Sequence, residues 1–135
     1  MIIDTHAHYD DEQFDTDRDK LLNSMYDGGI GLIVDAGSTL ESWAKIRKLT
    51  EDYPFIYGAI GIHPDEVGTL TEEHIDEMER LLDLEKIVAV GEIGLDYYWD
   101  NESHDMQKKW FIRQLETARK KEMPVIIHSR EAAAD

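Results

Sequence analysis

The sequence predicts an α/β chain of parallel strands, and three observations carry that reading. Five short apolar runs occur at 2–5 (IIDT), 31–36 (GLIVDA), 55–62 (FIYGAIGI), 87–93 (IVAVGEI) and 124–128 (PVIIH). They are near-continuous rather than alternating, as expected of strands covered on both faces. Amphipathic patterns of helical period lie between them, and the whole alternation has the size of successive right-handed βα units. Two closures fit such a chain: a doubly wound open sheet, or part of an eight-stranded barrel that needs about 250 residues. At 135 residues, length alone favours the open sheet, so the motifs must decide.

Each element has its own signal. The first strand, IIDT, leads to a helix whose inward residues are Leu22, Met25 and Tyr26 and which stops at Gly28-Gly29. After the second strand, Ser38 followed by Glu41 reads as a capping-box pair, and Trp43, Ile46 and Leu49 recur at helical spacing. After the third, Thr71 is a candidate N-cap, Glu72 and Glu73 suit the positive end of the helix dipole, and Ile75, Met78 and Leu82 form the buried stripe. After the fourth, Ser103 caps the longest helix, Phe111, Leu115 and Ala118 face inward, and Pro124 stops it before the fifth strand. No Pro/Gly/Ser-rich linker or low-complexity segment interrupts the chain, which is too short for two ordinary domains.

Composition narrows the chemistry. Thirty acidic against 14 basic residues give a formal charge of -16, which disfavours non-specific binding to a polyanion. A nucleic-acid substrate would need divalent cations or a local basic patch. Lys108, Lys109, Arg113, Arg119, Lys120 and Lys121 are clustered, but at the spacing of a solvated helix face. There is no cysteine, so a bound metal must use imidazole or carboxylate. No apolar run approaches the roughly 18 residues of a membrane span, and the start MIIDTHAH lacks the features of a secretory signal. A cytoplasmic protein with no membrane partner is the expectation.

Residues i and i+2 of a strand share a face, so His6 and His8 project together from the end of the first strand and can ligate one metal. Asp4 lies on the same face and can orient an imidazole. Further ligand types recur at strand ends: His63 in GIHP, Glu92 in GEIGLD and His128 in PVIIHSR. In a parallel α/β fold these ends lie on one side, where active sites sit. Four of the six histidines fall there, while His74 and His104 lie near helix starts and read as surface residues. A glutamate ending an apolar strand needs a compensating charge, and a pair of cations about 3.5–4 Å apart, bridged by its two oxygens, would supply it.

These motifs together, DTHAH, GIHP, GEIGLDYY, the helix QKKWFIRQLETARKKEMPV and its continuation IIHSREA, resemble the TatD-related metal-dependent deoxyribonucleases, a branch of the amidohydrolase-like TIM-barrel hydrolases. The similarity runs from residue 2 to residue 135. It implies that residues 1–135 are the N-terminal part of a single (βα)8 barrel domain, truncated to its first five strands and four helices. It implies a phosphodiesterase acting on DNA, commonly as a 3′ to 5′ exonuclease on single strands, with two divalent ions (Mg, Mn or Zn) as cofactors. By position, His6 and His8 would bind the first metal, Glu92 would bridge both, and His128 would bind the second. His63 would line the site as a phosphate contact or supporting group, and Arg130 would suit a phosphate through its paired donors.

The family is about twice this long. Its sixth strand brings a further histidine to the second metal, and its eighth an aspartate that ligates the first and acts as general base. This chain stops at EAAAD, so neither metal's ligand set is complete within it. Its first and fifth strands are left without neighbours, which leads us to expect self-association or a missing C-terminal half. Two other functions fit the same residues: hydrolysis of small esters, amides or phosphotriesters, and a non-catalytic half-barrel that binds metal and self-assembles.

Overall fold

A computed structural model describes residues 1–99 and 101–135. Five strands, β1 (Ile2–Ala7), β2 (Ile30–Ala36), β3 (Ile56–Ile60), β4 (Ile87–Asp96) and β5 (Val125–Arg130), alternate with four helices, α1 (Arg18–Asp27), α2 (Leu40–Asp52), α3 (Glu72–Leu81) and α4 (His104–Lys120). Each strand pairs in parallel with its neighbour in sequence, giving the order β1-β2-β3-β4-β5. A doubly wound sheet reverses its strand order partway, whereas a barrel wall never does. The order therefore selects the barrel over the open sheet that length favoured. Curvature agrees: β1 and β4 would stand about 14 Å apart in a flat sheet, yet His6 and His8 on one approach Glu92 on the other to 3.3 Å.

The apolar core fills the space between sheet and helices, with Trp43 and Ile46 of α2, Ile75 and Met78 of α3 and Trp110 of α4 packed on Ile60, Val90 and Ile93. A smaller cluster of Leu22, Ile33, Leu49 and Ile56 lies beneath α1. One close backbone contact sets the spacing of β4 and β5. Gly94 adopts φ 151, a conformation that favours glycine, and a Cβ there would overlap the His128 carbonyl on β5.

Several local expectations are corrected. Strands β4 and β5 run on to Asp96 and Arg130, so Glu92 and His128 sit inside strands rather than at their ends. The cap of α2 is Thr39, whose Oγ1 accepts from the Ser42 N–H, and not the Ser38–Glu41 pair. His74 is not idle: its Nδ1 accepts from the Thr71 N–H and closes the start of α3. His104 stacks on Tyr97 with ring centroids 3.6 Å apart. Along α4 the buried face is Gln107, Trp110, Gln114, Thr117 and Ala118, with Phe111 and Leu115 only partly covered. Ser103 caps that helix as expected, its Oγ accepting from the Met106 N–H at 3.2 Å.

The basic patch is a helix face turned to acidic neighbours. Arg113 pairs with Glu72, Lys120 with Glu79, Lys121 with Asp83 and Lys108 with Asp135. No helix among the described residues is long and apolar enough to cross a membrane. The two outer strands leave Ile2 and Ile3 of β1 and Val125 and Ile127 of β5 exposed.

Candidate metal centre

The curled sheet brings five of the singled-out side chains into one open cleft of about 480 Å³: His6, His8, His63, Glu92 and His128. His6, Glu92 and His128 arrive from strands, His8 from just beyond β1, and His63 from the turn that follows β3. His6 lies within β1 and His8 just beyond it, so alternation places both imidazoles on the concave side. Glu92 follows Gly91, and its N–H donates to the Gly37 carbonyl at 2.7 Å, which ties β4 to the turn after β2. His128 lies opposite Gly94 in the β4–β5 register.

Glu92 is the hub. Its Oε2 stands 3.3 Å from the Nε2 of both His6 and His8, while its Oε1 stands 2.9 Å from His128 Nδ1. Burial pushes this carboxyl up, but hydrogen bonding to His8, the His6 charge and the His128 contact outweigh it and hold the pKa at about 2. The same contact raises His8, against the opposing effect of its own burial. Ligand atoms of His6, His8 and Glu92 lie within 4.8 Å of one another, as do those of His63, Glu92 and His128. The donor set suits a divalent ion with imidazole and carboxylate ligands, and its two halves meet on one carboxylate.

Hydrogen bonds behind the cleft decide which nitrogen each imidazole presents. His8 Nδ1 lies 2.8 Å from the Ala36 carbonyl, which can only accept, so Nδ1 donates there and Nε2 is the nitrogen turned to Glu92. His128 Nε2 donates to Asp96 Oδ2 at 2.8 Å, directing Nδ1 at Glu92. Asp96 is buried, its other oxygen accepts from the Tyr98 N–H, and although burial raises its pKa the His128 contact brings it below the usual range. His63 behaves differently. Its Nδ1 accepts from the Asp65 N–H, and burial, followed by the His128 charge, lowers its pKa. A neutral His63 in that tautomer carries its proton on Nε2 and is a hydrogen-bond donor rather than a metal ligand.

Arg130 does not line the cleft but adjoins it. It lies two residues beyond His128 on β5, and its guanidinium covers the Tyr98 ring at 3.8 Å from the centroid.

Three acids were missed or left without a role by sequence reasoning. Asp96 repeats the inward side of β4 four residues after Glu92, which is a legible signal. Asp35, fully buried in the apolar GLIVDA run, accepts from the N–H groups of Tyr9 and Asp10 and so holds the turn that follows His8. Asp65 Oδ1 is buried with no partner among the described residues, beside His63 and Asp96.

A family model described as TatD related DNase matches residues 3–135. The chain is similar to the uncharacterized metal-dependent hydrolase YabD of Bacillus subtilis, 39% identical over 135 residues, which is all of this chain and 53% of that protein. It is also similar to the 3'-5' ssDNA/RNA exonuclease TatD of a Pantoea species, 34% identical over 122 residues, covering 89% of this chain and 46% of the relative. The crystal structure of YjjV, a TatD homolog from Escherichia coli, superposes with a TM-score of 0.90 at 32% identity, covering 98% of this chain and 52% of that one. The chain thus spans about half the length of the relatives it matches.

Proposed function

The chain belongs to the TatD-related DNase family, and from that premise we propose that it forms the metal-holding half of a DNA phosphodiesterase, acting from the 3′ end of single strands. The observation that carries this reading is the division of Glu92: one oxygen faces His6 and His8, the other faces His128. Such a division would let His6 and His8 with Glu92 hold one ion and His128 with Glu92 hold a second. Two divalent cations, when bound, supply charge neutralisation for the phosphate and acidify a water. Imidazole-rich ligation leans towards Zn or Mn, and nuclease chemistry towards Mg.

The chain's own residues do the rest. His8 is locked by Ala36 and His128 by Asp96, so neither imidazole must turn to bind. His63, with Nδ1 engaged by the Asp65 N–H, would offer its Nε2–H to a phosphate oxygen, where a neutral donor stabilises the charge that builds up as the bond breaks. The family's further ligands, from its sixth and eighth strands, would complete the two sites.

The test is Glu92→Ala in the complete polypeptide, with metal content and shortening of an end-labelled single strand measured together. Loss of chelator-sensitive shortening together with lower metal stoichiometry is expected; unchanged stoichiometry would rule out the bridge. Turnover of small esters with DNA left intact would replace the nuclease reading, and tight metal binding without any turnover would leave a non-catalytic half-barrel.

A further inference from the structure

We propose that Trp99, Tyr98 and Arg130 form a nucleobase-stacking platform, next to the metal cluster, by which the protein grips an unpaired strand. The proposal rests on the phosphodiesterase reading and names what that reading leaves open, namely where the nucleotide flanking the cleaved bond is held.

Three observations lead to it. First, the register of the last two strands lays out a path. Gly94 faces His128 and Asp96 faces Arg130, so Arg130 stands one inward step, about 6.6 Å, beyond the candidate ligand on the same strand. Second, Arg130 is an exposed cation in a strongly acidic chain, and it is stacked rather than ion-paired. Its guanidinium lies 3.8 Å from the Tyr98 centroid and 5.4 Å from that of Trp99, and among the described residues no carboxylate lies within salt-bridge distance. Lys108, Arg113, Lys120 and Lys121, by contrast, are each paired with a carboxylate. Third, Tyr98 and Trp99 meet edge to face at 4.7 Å, with 49% and 56% of their surfaces exposed. Two large rings left in water beside a cation and a polar cleft are the elements of single-strand recognition: a base stacks on an aromatic face while a guanidinium takes the adjoining phosphate. A duplex keeps its bases stacked on one another, so the platform favours a strand whose bases are free.

These rings also lie away from the two open edges of the sheet, where further strands would pack. Those edges are marked by Ile2 and Ile3 on β1 and by Val125 and Ile127 on β5, whereas Tyr98 and Trp99 follow the end of β4, an inner strand.

Tryptophan fluorescence reads the site as the signal that Trp99→Phe removes, because of the three indoles in these 135 residues Trp43 and Trp110 are 2% and 4% exposed and Trp99 is accessible. The complete polypeptide, held in EDTA so that no strand is shortened, is titrated with a thymidine oligonucleotide and with an abasic strand of equal length. Quenching by the first and not the second is expected. Trp99→Ala should weaken the thymidine strand roughly tenfold and leave the abasic strand unchanged, Trp99→Phe should restore most of the loss, and Arg130→Gln should weaken both strands. Equal binding of the two strands, an unaltered Trp99→Ala protein, or an indole shielded from acrylamide in the complete polypeptide would each overturn the platform. Shortening of a labelled strand is measured on the same preparations with metal restored. If it persists while the stacking result fails, the platform alone is wrong; if no strand is shortened and only small esters turn over, the nuclease reading fails and takes the platform with it.

Discussion

Glu92, His128 and Asp96 form a short relay in which each group fixes the next, and the consequence is a sharp prediction for Asp96→Asn. Asparagine can still accept from the Tyr98 N–H, but its amide then faces His128 Nε2 with a donor where a carboxylate stood. His128 would then keep its proton on Nδ1, the nitrogen that faces Glu92, and so deny a cation its lone pair there. We expect metal affinity to fall by about 10- to 100-fold with the fold intact; calorimetric titration showing unchanged affinity would refute the relay. A second prediction concerns Asp35. Burial, and then the neighbouring Asp10 charge, push its pKa up to about 7 from an ordinary carboxylate value. A raised carboxyl pKa means that the folded state holds the extra proton, so this group's contribution to stability falls as pH rises from about 4 to about 7 and is level above that. Asp10→Asn removes the repulsion, and melting temperatures measured across pH 5 to 8 in EDTA should therefore depend less on pH than in the parent; parallel profiles would count against it. At this scale the ligating residues were legible because histidine and glutamate at the ends of apolar strands are conspicuous. Their supports were not, because an aspartate gains its meaning only from the strand beside it.

Helix α4 shows what an element contributes beyond its apolar stripe. Gln107 and Gln114 are two turns apart on its buried face. Gln107 accepts from the Asp96 N–H and donates to the Asp96 carbonyl, and Gln114 does the same for Ile62. The helix thereby satisfies backbone groups at the ends of β3 and β4, next to His63 and to the acid that orients His128. Gln107→Met keeps the volume but leaves a buried N–H and C=O unpaired, for which a loss of about 2 kcal/mol or more is expected in denaturant unfolding; a loss below half of that would show that water replaces the amide. Gly94→Ala should act on the same region by another route, driving β5 away from β4, with a cost of about 1–3 kcal/mol and weaker metal binding. Periodicity found α4 and its cap but gave Phe111 and Leu115 the inward face. It ranks residues by apolarity, and here the deeply buried side chains are amides whose partners lie on distant strands.

For the whole molecule, alternation and spacing placed all five strands and all four helices, while the choice of closure came from the family resemblance that the motifs carry together. What remained hidden was extent: β4 and β5 continue past the expected ends because barrel curvature lets neighbours pair beyond the apolar run. The exposed isoleucines of β1 and β5 lead to a further prediction. Without other strands to cover them, these edges should pair between copies, so sedimentation should show mass increasing with concentration, and Ile3→Lys with Ile127→Lys should shift the chain towards monomer. A strictly monomeric parent would contradict it. The strand order has another consequence, for synthesis. Each strand pairs with the one made just before it, so a growing chain can dock its βα units one by one behind the ribosome, at about 5–20 residues per second. The cation-holding cluster cannot assemble that way. Its first two imidazoles emerge at residues 6 and 8, its hub at 92 and His128 later still, so nascent chains acquire the first four strands of their wall before these groups can gather around a cation.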